Sequence, residues 1–321
     1  MKINYDMVPL QRRKFIKTAA LGTAAVAIIP ACVAKTAGMK SESGSRFKIS
    51  LAQWSLHKTL QANQLDNLDF AKKATELGIY AVEYVNQFFK DKATDKAYLK
   101  EMNMRAADLG VRQLLIMIDG EGGLAELDQT TRNSAVKNHF KWVDAAKTLG
   151  CHSIRVNAFG NSFDRVAMHA SAVDGLGQLA AYALPMGINV IVENHGGLSS
   201  DGQWLTGVMK DINLPNCGTL PDFGNFCIRR DGGAQWEGKC IEVYDKYKGV
   251  EELMPYAKAV SAKSYDFDVA GNETTIDFER MIGIVKKSSY SGYLGIEYEG
   301  SRLSEDEGII ATKKLIERFI G

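Results

Sequence analysis

The sequence predicts a single α/β domain with the (β/α)8 barrel architecture, known as the TIM barrel. The chain has 321 residues, of which 45% are hydrophobic and 24% charged, so it can bury one large core. Eight apolar, strand-like runs follow one another from residue 47 onward. No shift in composition marks a second domain, which favours one barrel over two smaller units.

Four helical patterns end in an apolar residue followed by glycine, and each passes directly into an apolar run. These glycines are Gly78, Gly110, Gly150 and Gly187. Glycine just past a helix adopts the left-handed conformation that closes the last turn, so each one predicts a helix end before a strand. The chain therefore alternates between helix and strand.

The eight predicted strands begin 29 to 42 residues apart, which is about the length of one βα unit. In chain order they are Phe47–Gln53, Ile79–Val85, Val111–Ile118, Cys151–Val156, Ile188–Glu193, Cys217–Asp222, Ala259–Tyr265 and Tyr293–Glu299. A doubly wound sheet is the alternative. No strand is followed by G-x-G-x-x-G or a P-loop, so a nucleotide site is not supported and the barrel is favoured.

The first 34 residues are predicted to be an export signal. Arg12 and Arg13 precede the uncharged, alanine-rich stretch Thr18–Ile29. This pattern resembles a bacterial twin-arginine signal, and the stretch is too short to span a bilayer. We therefore expect an exported, periplasmic protein.

The residues around Cys32 resemble a lipoprotein processing site. They predict a lipid on Cys32 as the only attachment to the membrane, whereas cleavage near Ala34 would release a soluble periplasmic protein. Residues 35–46, rich in glycine and serine, are then a flexible tether, and residues 47–321 form the catalytic barrel.

The other cysteines are Cys151, Cys217, Cys227 and Cys240. Cys227 and Cys240 lie in one predicted loop and could pair, because the exported compartment permits disulfides. Their spacing matches neither a disulfide framework nor a zinc knuckle. We expect free, buried thiols.

Lysine and arginine number 39 against 38 aspartate and glutamate residues, which leaves a net charge of +1. A nucleic-acid binder needs a basic stripe to neutralise phosphates, so we expect no nucleic-acid partner. The sequence does not indicate an oligomeric state.

Polar and ionisable residues close almost every predicted strand. In a barrel, the carboxyl ends of the strands form the active site, so these residues are the candidates for function. In chain order they are Gln53, His57, Glu83, Asp119, Asn157, Glu193, Asn194, His195, Asp222, Asn225, Lys263, Tyr265, Glu297 and Glu299.

Three of these carboxylates are expected to converge if their side chains point inward: Glu193, Asp222 and Glu297. Their mutual repulsion requires a cation, because like charges at close range cannot all stay ionised. The sequence offers two, a divalent metal and the ammonium of Lys263. Oxygen ligands favour Mn²⁺ or Mg²⁺ as the metal.

Four segments at the ends of the last four predicted strands resemble the xylose-isomerase-like TIM-barrel superfamily of sugar isomerases and epimerases. They are Ile191–Gly197, Pro221–Phe226, Val260–Phe267 and Gly292–Gly300. The resemblance covers the chain from about Phe47 to its end. It implies a carbohydrate substrate and a divalent ion held by Glu193, Asp222 and Glu297.

The superfamily supplies a further ligand, a histidine, where this chain has Ser261. Because of this departure, the fourth ligand could be His195 or water. Alternatively, the ammonium of Lys263 could replace the ion.

The positions of these residues at strand ends and in βα loops, together with the resemblance, predict site roles. The catalytic candidates are Glu193, Glu297, Lys263, His195, His57 and Glu83. The substrate-binding candidates are Asn157, Asn194, Asn225, Tyr265, Trp236 and Glu299. Glu83 could instead be an ion-paired barrel carboxylate, and His57 and His195 could be hydrogen-bonded walls. Trp236 could serve loop packing as well as sugar stacking.

The expected function is metal-assisted isomerisation or epimerisation of non-phosphorylated sugars or keto-sugars through an enediolate. Two alternatives stay open: a lyase or hydrolase of 3-keto-glycosides that uses the same enolisation, and a non-catalytic carbohydrate-binding barrel. Apurinic endonuclease activity is disfavoured, because five histidines are too few for a three-zinc site.

Overall fold

The computed structural model describes residues 46–233 and 237–321, which belong to one compact unit, Gly44–Gly321. Eight parallel strands form one curled sheet in the order β6-β5-β4-β3-β2-β1-β10-β9. The strands of the described residues are β1 (Phe47–Ala52), β2 (Ala81–Val85), β3 (Arg112–Met117), β4 (Ser153–Val156), β5 (Asn189–Glu193), β6 (Cys217–Leu220), β7 (Cys227–Arg230), β8 (Cys240–Val243), β9 (Val260–Ser264) and β10 (Gly292–Tyr298).

Two isolated parallel bridges join the ends of this sheet. They pair Thr219 with Ala257 and Asp222 with Ser261, and the Ser261 amide donates to the Pro221 carbonyl at 2.9 Å. The prediction of a (β/α)8 barrel is confirmed.

Helices cover the outside of the barrel. They are α1 (His57–Gln61), α2 (Phe70–Glu76), α3 (Lys96–Asp108), α4 (Gln129–Leu149), α5 (Arg165–Ala183), α6 (Gly202–Ile212), α7 (Lys246–Leu253), α8 (Phe278–Lys287) and α9 (Glu305–Ile320). An aspartate caps each helix from α3 to α8 by accepting a backbone N–H of the first turn. Ser304 and Glu307 form a capping box that starts α9. These caps fix where each βα loop ends.

The four glycines predicted to end helices all lie in the left-handed region, with φ between 66° and 72°. At the end of α4, the amide of Gly150 donates to the Ala146 and Lys147 carbonyls, which closes the last turn. The predicted helix ends are confirmed.

The loop after β6 carries an antiparallel hairpin, β7 and β8, which the sequence did not predict. Its strands are short and largely exposed, so they show no apolar periodicity. The hairpin brings Cys227 and Cys240 together in a disulfide with Cα atoms 5.9 Å apart. The expectation of free thiols is therefore wrong for this pair, and it is right for Cys151 and Cys217, which are buried and free.

The core lies between the sheet and the helices, and a smaller apolar cluster that includes Leu115, Met117 and Ile191 forms a second group of buried side chains. No helix in the described part of the chain is long and apolar enough to cross a membrane. The predicted signal residues Arg12, Arg13 and Cys32 lie outside the described residues.

Candidate active site

A cavity of about 820 Å³ opens at the carboxyl ends of the barrel strands. The residues that line it follow successive strands, as the barrel architecture requires. They include Trp54, Asp119, Arg155, Asn157, Phe159, His195, Asn225, Arg230, Tyr265, Glu297 and Glu299.

Three buried carboxylates converge at this end of the barrel. Glu193, Asp222 and Glu297 are each 3% exposed or less, and each offers one oxygen that lies within 4.8 Å of the other two. The structure thus brings together the three residues that the sequence proposed as metal ligands, and we call them the carboxylate triad. His195, the other candidate ligand, is not part of this group.

Backbone and side-chain contacts fix the position of Asp222. Its Oδ1 accepts from the amides of Gly224 and Asn225, both at 2.8 Å. Asn194 holds the same turn, since its Oδ1 accepts from the Asp222 amide at 2.7 Å and its Nδ2 donates to the Asp222 carbonyl at 3.0 Å. Asn194 is fully buried and positions the turn.

Ser261 touches two members of the triad. Its Oγ lies 2.7 Å from Asp222 Oδ2 and 3.0 Å from Glu297 Oε2. A hydroxyl has one proton to donate, so one of the two carboxylate oxygens needs another proton or a cation. Burial also raises the pKa of Glu193 and of Asp222. The triad therefore requires positive charge from elsewhere.

Lys263 supplies part of that charge. Its Nζ lies 2.8 Å from Glu297 Oε1, 3.3 Å from Glu299 Oε1 and 3.9 Å from Asp222 Oδ2. Burial alone would lower the pKa of Lys263, but these carboxylates outweigh it and hold the pKa well above its ordinary value. Lys263 is an ammonium in this site.

Arg155 is the second buried cation, and sequence reasoning missed it. Its Nη1 donates to Asp119 Oδ1 at 2.8 Å, and its Nε lies 2.8 Å from Glu193 Oε2. Although burial opposes it, the charge of Arg155 keeps the pKa of Asp119 below its ordinary value. The available signal was an arginine in the otherwise apolar run Ile154–Val156, two positions before Asn157 and thus on the same face of β4.

His195 lines the cavity as a neutral imidazole, because burial lowers its pKa to about 3. Asn157 Nδ2 donates to Asp119 Oδ1 at 2.8 Å, so the Asn157 Oδ1 must accept from His195 Nδ1, also at 2.8 Å. The proton of His195 is therefore on Nδ1, and Nε2 carries the lone pair.

Glu83 lies inside the barrel, and it is not among the residues that line the cavity. It is 2% exposed, and Ser50 Oγ donates to its Oε1 at 2.6 Å. Burial raises the pKa of Glu83 to about 7. Gly295 makes room for this carboxylate, since a Cβ there would lie 2.6 Å from Glu83 Oε1.

His57 is not brought into the cavity. Its ring stacks on Trp54 with centroids 4.8 Å apart, and its Nδ1 lies 2.7 Å from the Trp54 carbonyl. Trp54 itself forms the wall, and its Nε1 donates to Glu299 Oε1 at 2.6 Å. His57 thus supports an aromatic side chain that faces the cavity.

The substrate-binding candidates Asn157, Asn225, Tyr265 and Glu299 all line the cavity. Asn225 also donates from Nδ2 to Glu193 Oε1 at 2.9 Å, which orients that carboxylate. Trp236 lies outside the described residues.

The family model described as xylose isomerase-like TIM barrel matches residues 71–318, which is most of the chain. The chain belongs to this family.

Solved structures with the same fold superpose on most of this chain. D-psicose 3-epimerase, determined in the presence of D-fructose, is similar with a TM-score of 0.63 and 13% identity, over 85% of this chain and 99% of that chain. A xylose isomerase-like TIM barrel protein from Mycobacterium smegmatis, in complex with magnesium, is similar with a TM-score of 0.59 and 16% identity, over 79% and 88% of the two chains. At these identities the likeness shows the fold.

One sequence relative is the C-glycoside deglycosidase alpha subunit of Arthrobacter globiformis. It is 39% identical over 66 residues, which are 20% of this chain and 19% of that relative. The matched stretch therefore spans about a fifth of either protein.

The site of this xylose isomerase-like barrel fits a divalent cation. Three carboxylate oxygens meet in one buried place, and Glu193 Oε2 has no hydrogen bond of good geometry, although Arg155 Nε lies 2.8 Å from it. The single proton of Ser261 cannot serve both carboxylates that it touches. Oxygen ligands of this kind suit Mg²⁺ or Mn²⁺.

Proposed function

We propose that this protein is a metal-assisted isomerase or epimerase of non-phosphorylated sugars or keto-sugars, acting through an enediolate. The observation that carries the proposal is the buried carboxylate triad beside a cavity large enough for a sugar. The names of similar barrels, D-psicose 3-epimerase above all, support a carbohydrate substrate.

Glu193, Asp222 and Glu297 would hold the ion. When bound, a divalent ion polarises a carbonyl and stabilises the negative charge of an enediolate. Asp222 is the member most firmly fixed by backbone amides, so we assign it the role of ligand alone.

Glu193 and Glu297 are the proton carriers in this proposal. One removes the proton from the carbon beside the carbonyl, and the other returns a proton to the neighbouring carbon or to the opposite face. Burial raises the pKa of Glu193, which brings the carboxyl group nearer to the pH at which it can both take and give a proton.

Lys263 and the cavity walls orient the substrate. The Lys263 ammonium, held by Glu297 and Glu299, would donate a hydrogen bond to a substrate oxygen. Trp54 offers an aromatic face, and Asn157 and Tyr265 offer polar atoms for hydroxyl groups. Arg155 is already paired with Asp119 and Glu193, so it is not available for a phosphate.

A second candidate is a lyase or hydrolase of 3-keto-glycosides. The similarity to a C-glycoside deglycosidase alpha subunit favours it, over the 66 residues that match. Removal of the proton beside the ketone would proceed with the same carboxylates, and the substituent on the next carbon would leave.

We also propose that the protein is exported and held in the periplasm by a lipid at Cys32. Arg12, Arg13 and the uncharged stretch after them support this proposal. Glycosides and keto-sugars, unlike the largely cytosolic sugar phosphates, can be met in that compartment.

A product screen tests the proposed function. The protein is loaded with Mg²⁺ or Mn²⁺ and incubated with free ketoses, aldoses and 3-keto-glucosides. An epimer or isomer seen by NMR supports the first candidate, and release of the substituent supports the second. A sugar that binds and stays unchanged would point to the non-catalytic alternative.

A further inference from the structure

A second cavity of about 390 Å³ adjoins the active-site cavity. Phe159, Gly196 and Arg230 line both. The active-site cavity alone is near the upper end of the roughly 300–1,000 Å³ that drug-sized ligands occupy. A single sugar ring among the carboxylates would therefore leave the adjoining cavity empty.

The two cavities differ in chemistry. Carboxylates and the buried Arg155 line the first, whereas Phe163, Met168, Leu198 and Ile228 line much of the second. Among the described residues that line the second cavity, Arg230 is the charged one. Asn161 and Ser162 interrupt this lining, and its apolar side chains bind a ligand by removing apolar surface from water.

Phe163 marks the rim of the second cavity. Its side chain is 50% exposed, although its neighbours Met168, Leu198 and Ile228 are buried. An uncovered aromatic residue beside an apolar cavity is typical of a ligand-binding surface.

The hairpin of β7 and β8 forms one wall of this region. Ile228 and Arg230 line the second cavity, and Cys227, which is joined to Cys240, lines the first. The disulfide therefore fastens the wall that the two cavities share.

We propose that the second cavity is the subsite for the aglycone of a glycoside whose sugar ring lies at the carboxylate triad. The aglycone is apolar and contains an aromatic ring, which can pack against Phe159 and Phe163 and stack on the Arg230 guanidinium. This inference rests on the second candidate under the proposed function, because a glycoside needs a ketone on its ring to enolise, and it narrows that substrate to an aryl 3-keto-glycoside.

Equilibrium binding tests the subsite without any turnover. The probes are 4-nitrophenol, 4-nitrophenyl β-D-glucopyranoside and methyl β-D-glucopyranoside, titrated by calorimetry into the full-length protein. We expect 4-nitrophenol to bind at millimolar concentration and the aryl glucoside to bind about tenfold more tightly than the methyl glucoside, the effect of burying one ring.

Two variants change the subsite in opposite ways. Ile228→Trp fills the cavity, and Phe163→Ala removes part of its aromatic wall. Each should reduce the preference for the aryl glucoside to about twofold or less and leave the methyl glucoside unaffected. Leu184→Ala is the matched control, since Leu184 is 42% exposed and lines neither cavity.

Absence of 4-nitrophenol binding, or equal affinity for both glucosides in the wild-type protein, would overturn the subsite. An equal loss of preference in Leu184→Ala would do the same. The proposed function fails separately: 4-nitrophenol binding that Ile228→Trp abolishes, together with no reaction of any sugar, would leave the subsite standing without the isomerase.

Discussion

The ammonium of Lys263 lies 2.8 Å from Oε1 of Glu297, on neighbouring parallel strands whose register places the two residues side by side. Both side chains are buried, and Asp222, Glu297 and Glu299 together hold the pKa of Lys263 well above its ordinary value against the effect of burial. Glu297 also belongs to the carboxylate triad. Lys263 and a divalent ion would therefore compensate the same negative charge, and substitutions can separate their contributions.

The carboxylate triad should bind the metal. Glu193→Gln, Asp222→Asn and Glu297→Gln should each lower the Mn²⁺ or Mg²⁺ bound per protein, because each removes a charged ligand. Metal analysis after purification without chelator measures this. Glu299→Gln is the matched control, a carboxylate near Lys263 that is outside the triad. Equal metal content in all four variants would show that Lys263 neutralises the site instead.

Lys263→Met should preserve the fold, because methionine retains most of the length of the side chain. Turnover should fall by roughly 100-fold or more, the size expected for losing one acid or electrostatic group. Circular dichroism reports the fold and a sugar conversion assay reports turnover. Unfolding of the variant, or normal turnover, would make Lys263 a structural residue.

Glu83 should make stability depend on pH. Its pKa is about 7 in the folded protein against an ordinary 4.5, so below pH 4.5 it is protonated in both states. As the pH rises from 4.5 to 7, the buried carboxyl group costs an increasing amount of stability, at most about 3 kcal/mol, and the loss is complete above pH 7. Glu83→Gln should therefore unfold at higher urea concentration than the wild type at pH 8, and the difference should shrink at pH 5.

Glu299 provides a control, because its ionisation should change the stability of the fold in the opposite direction. Although burial opposes it, Lys263 holds the pKa of Glu299 below its ordinary value, so the ionised carboxylate stabilises the fold at high pH. Glu299→Gln should lose stability at pH 8 relative to the wild type. If stability changed with pH in the same direction in both variants, the prediction of a raised pKa for Glu83 would be wrong. Chelator in all samples removes any contribution from metal.

The export signal is tested by fractionation of cells. Arg12→Lys combined with Arg13→Lys should leave the protein in the cytoplasm, since the twin-arginine route requires the pair. Cys32→Ser should release it from the membrane fraction, because no lipid can be attached. Unchanged fractionation of both variants would contradict the export and anchor proposals.

The barrel was predictable because its signals are local. Gly78 and Gly150 end helices through their own backbone conformation, and the apolar runs after them are buried strands. The hairpin Cys227–Val243 was not predictable in this way. Its strands are short and mostly exposed, and the disulfide that joins them depends on a turn that no periodic pattern describes.

The site was predictable where alternation along one strand decides the direction of a side chain. Ser261 and Lys263 on β9 share a face for that reason, as do Glu297 on β10 and Glu299, which directly follows that strand. Arg155 was missed because its importance depends on partners from two other strand ends, Asp119 and Glu193. Contacts between segments that are distant in sequence cannot be predicted until the fold is known.

The central claim is that Glu193 and Glu297 move a proton at the carbon beside a sugar carbonyl. Solvent deuterium exchange tests it most directly: Mg²⁺-loaded protein is incubated in D₂O with ketoses and 3-keto-glucosides, and NMR follows the carbon-bound hydrogen. We predict exchange with at least one sugar, slowed roughly 100-fold or more in Glu193→Gln and in Glu297→Gln. No exchange with any sugar that the metal-loaded protein binds, or full exchange in both variants, would contradict the account.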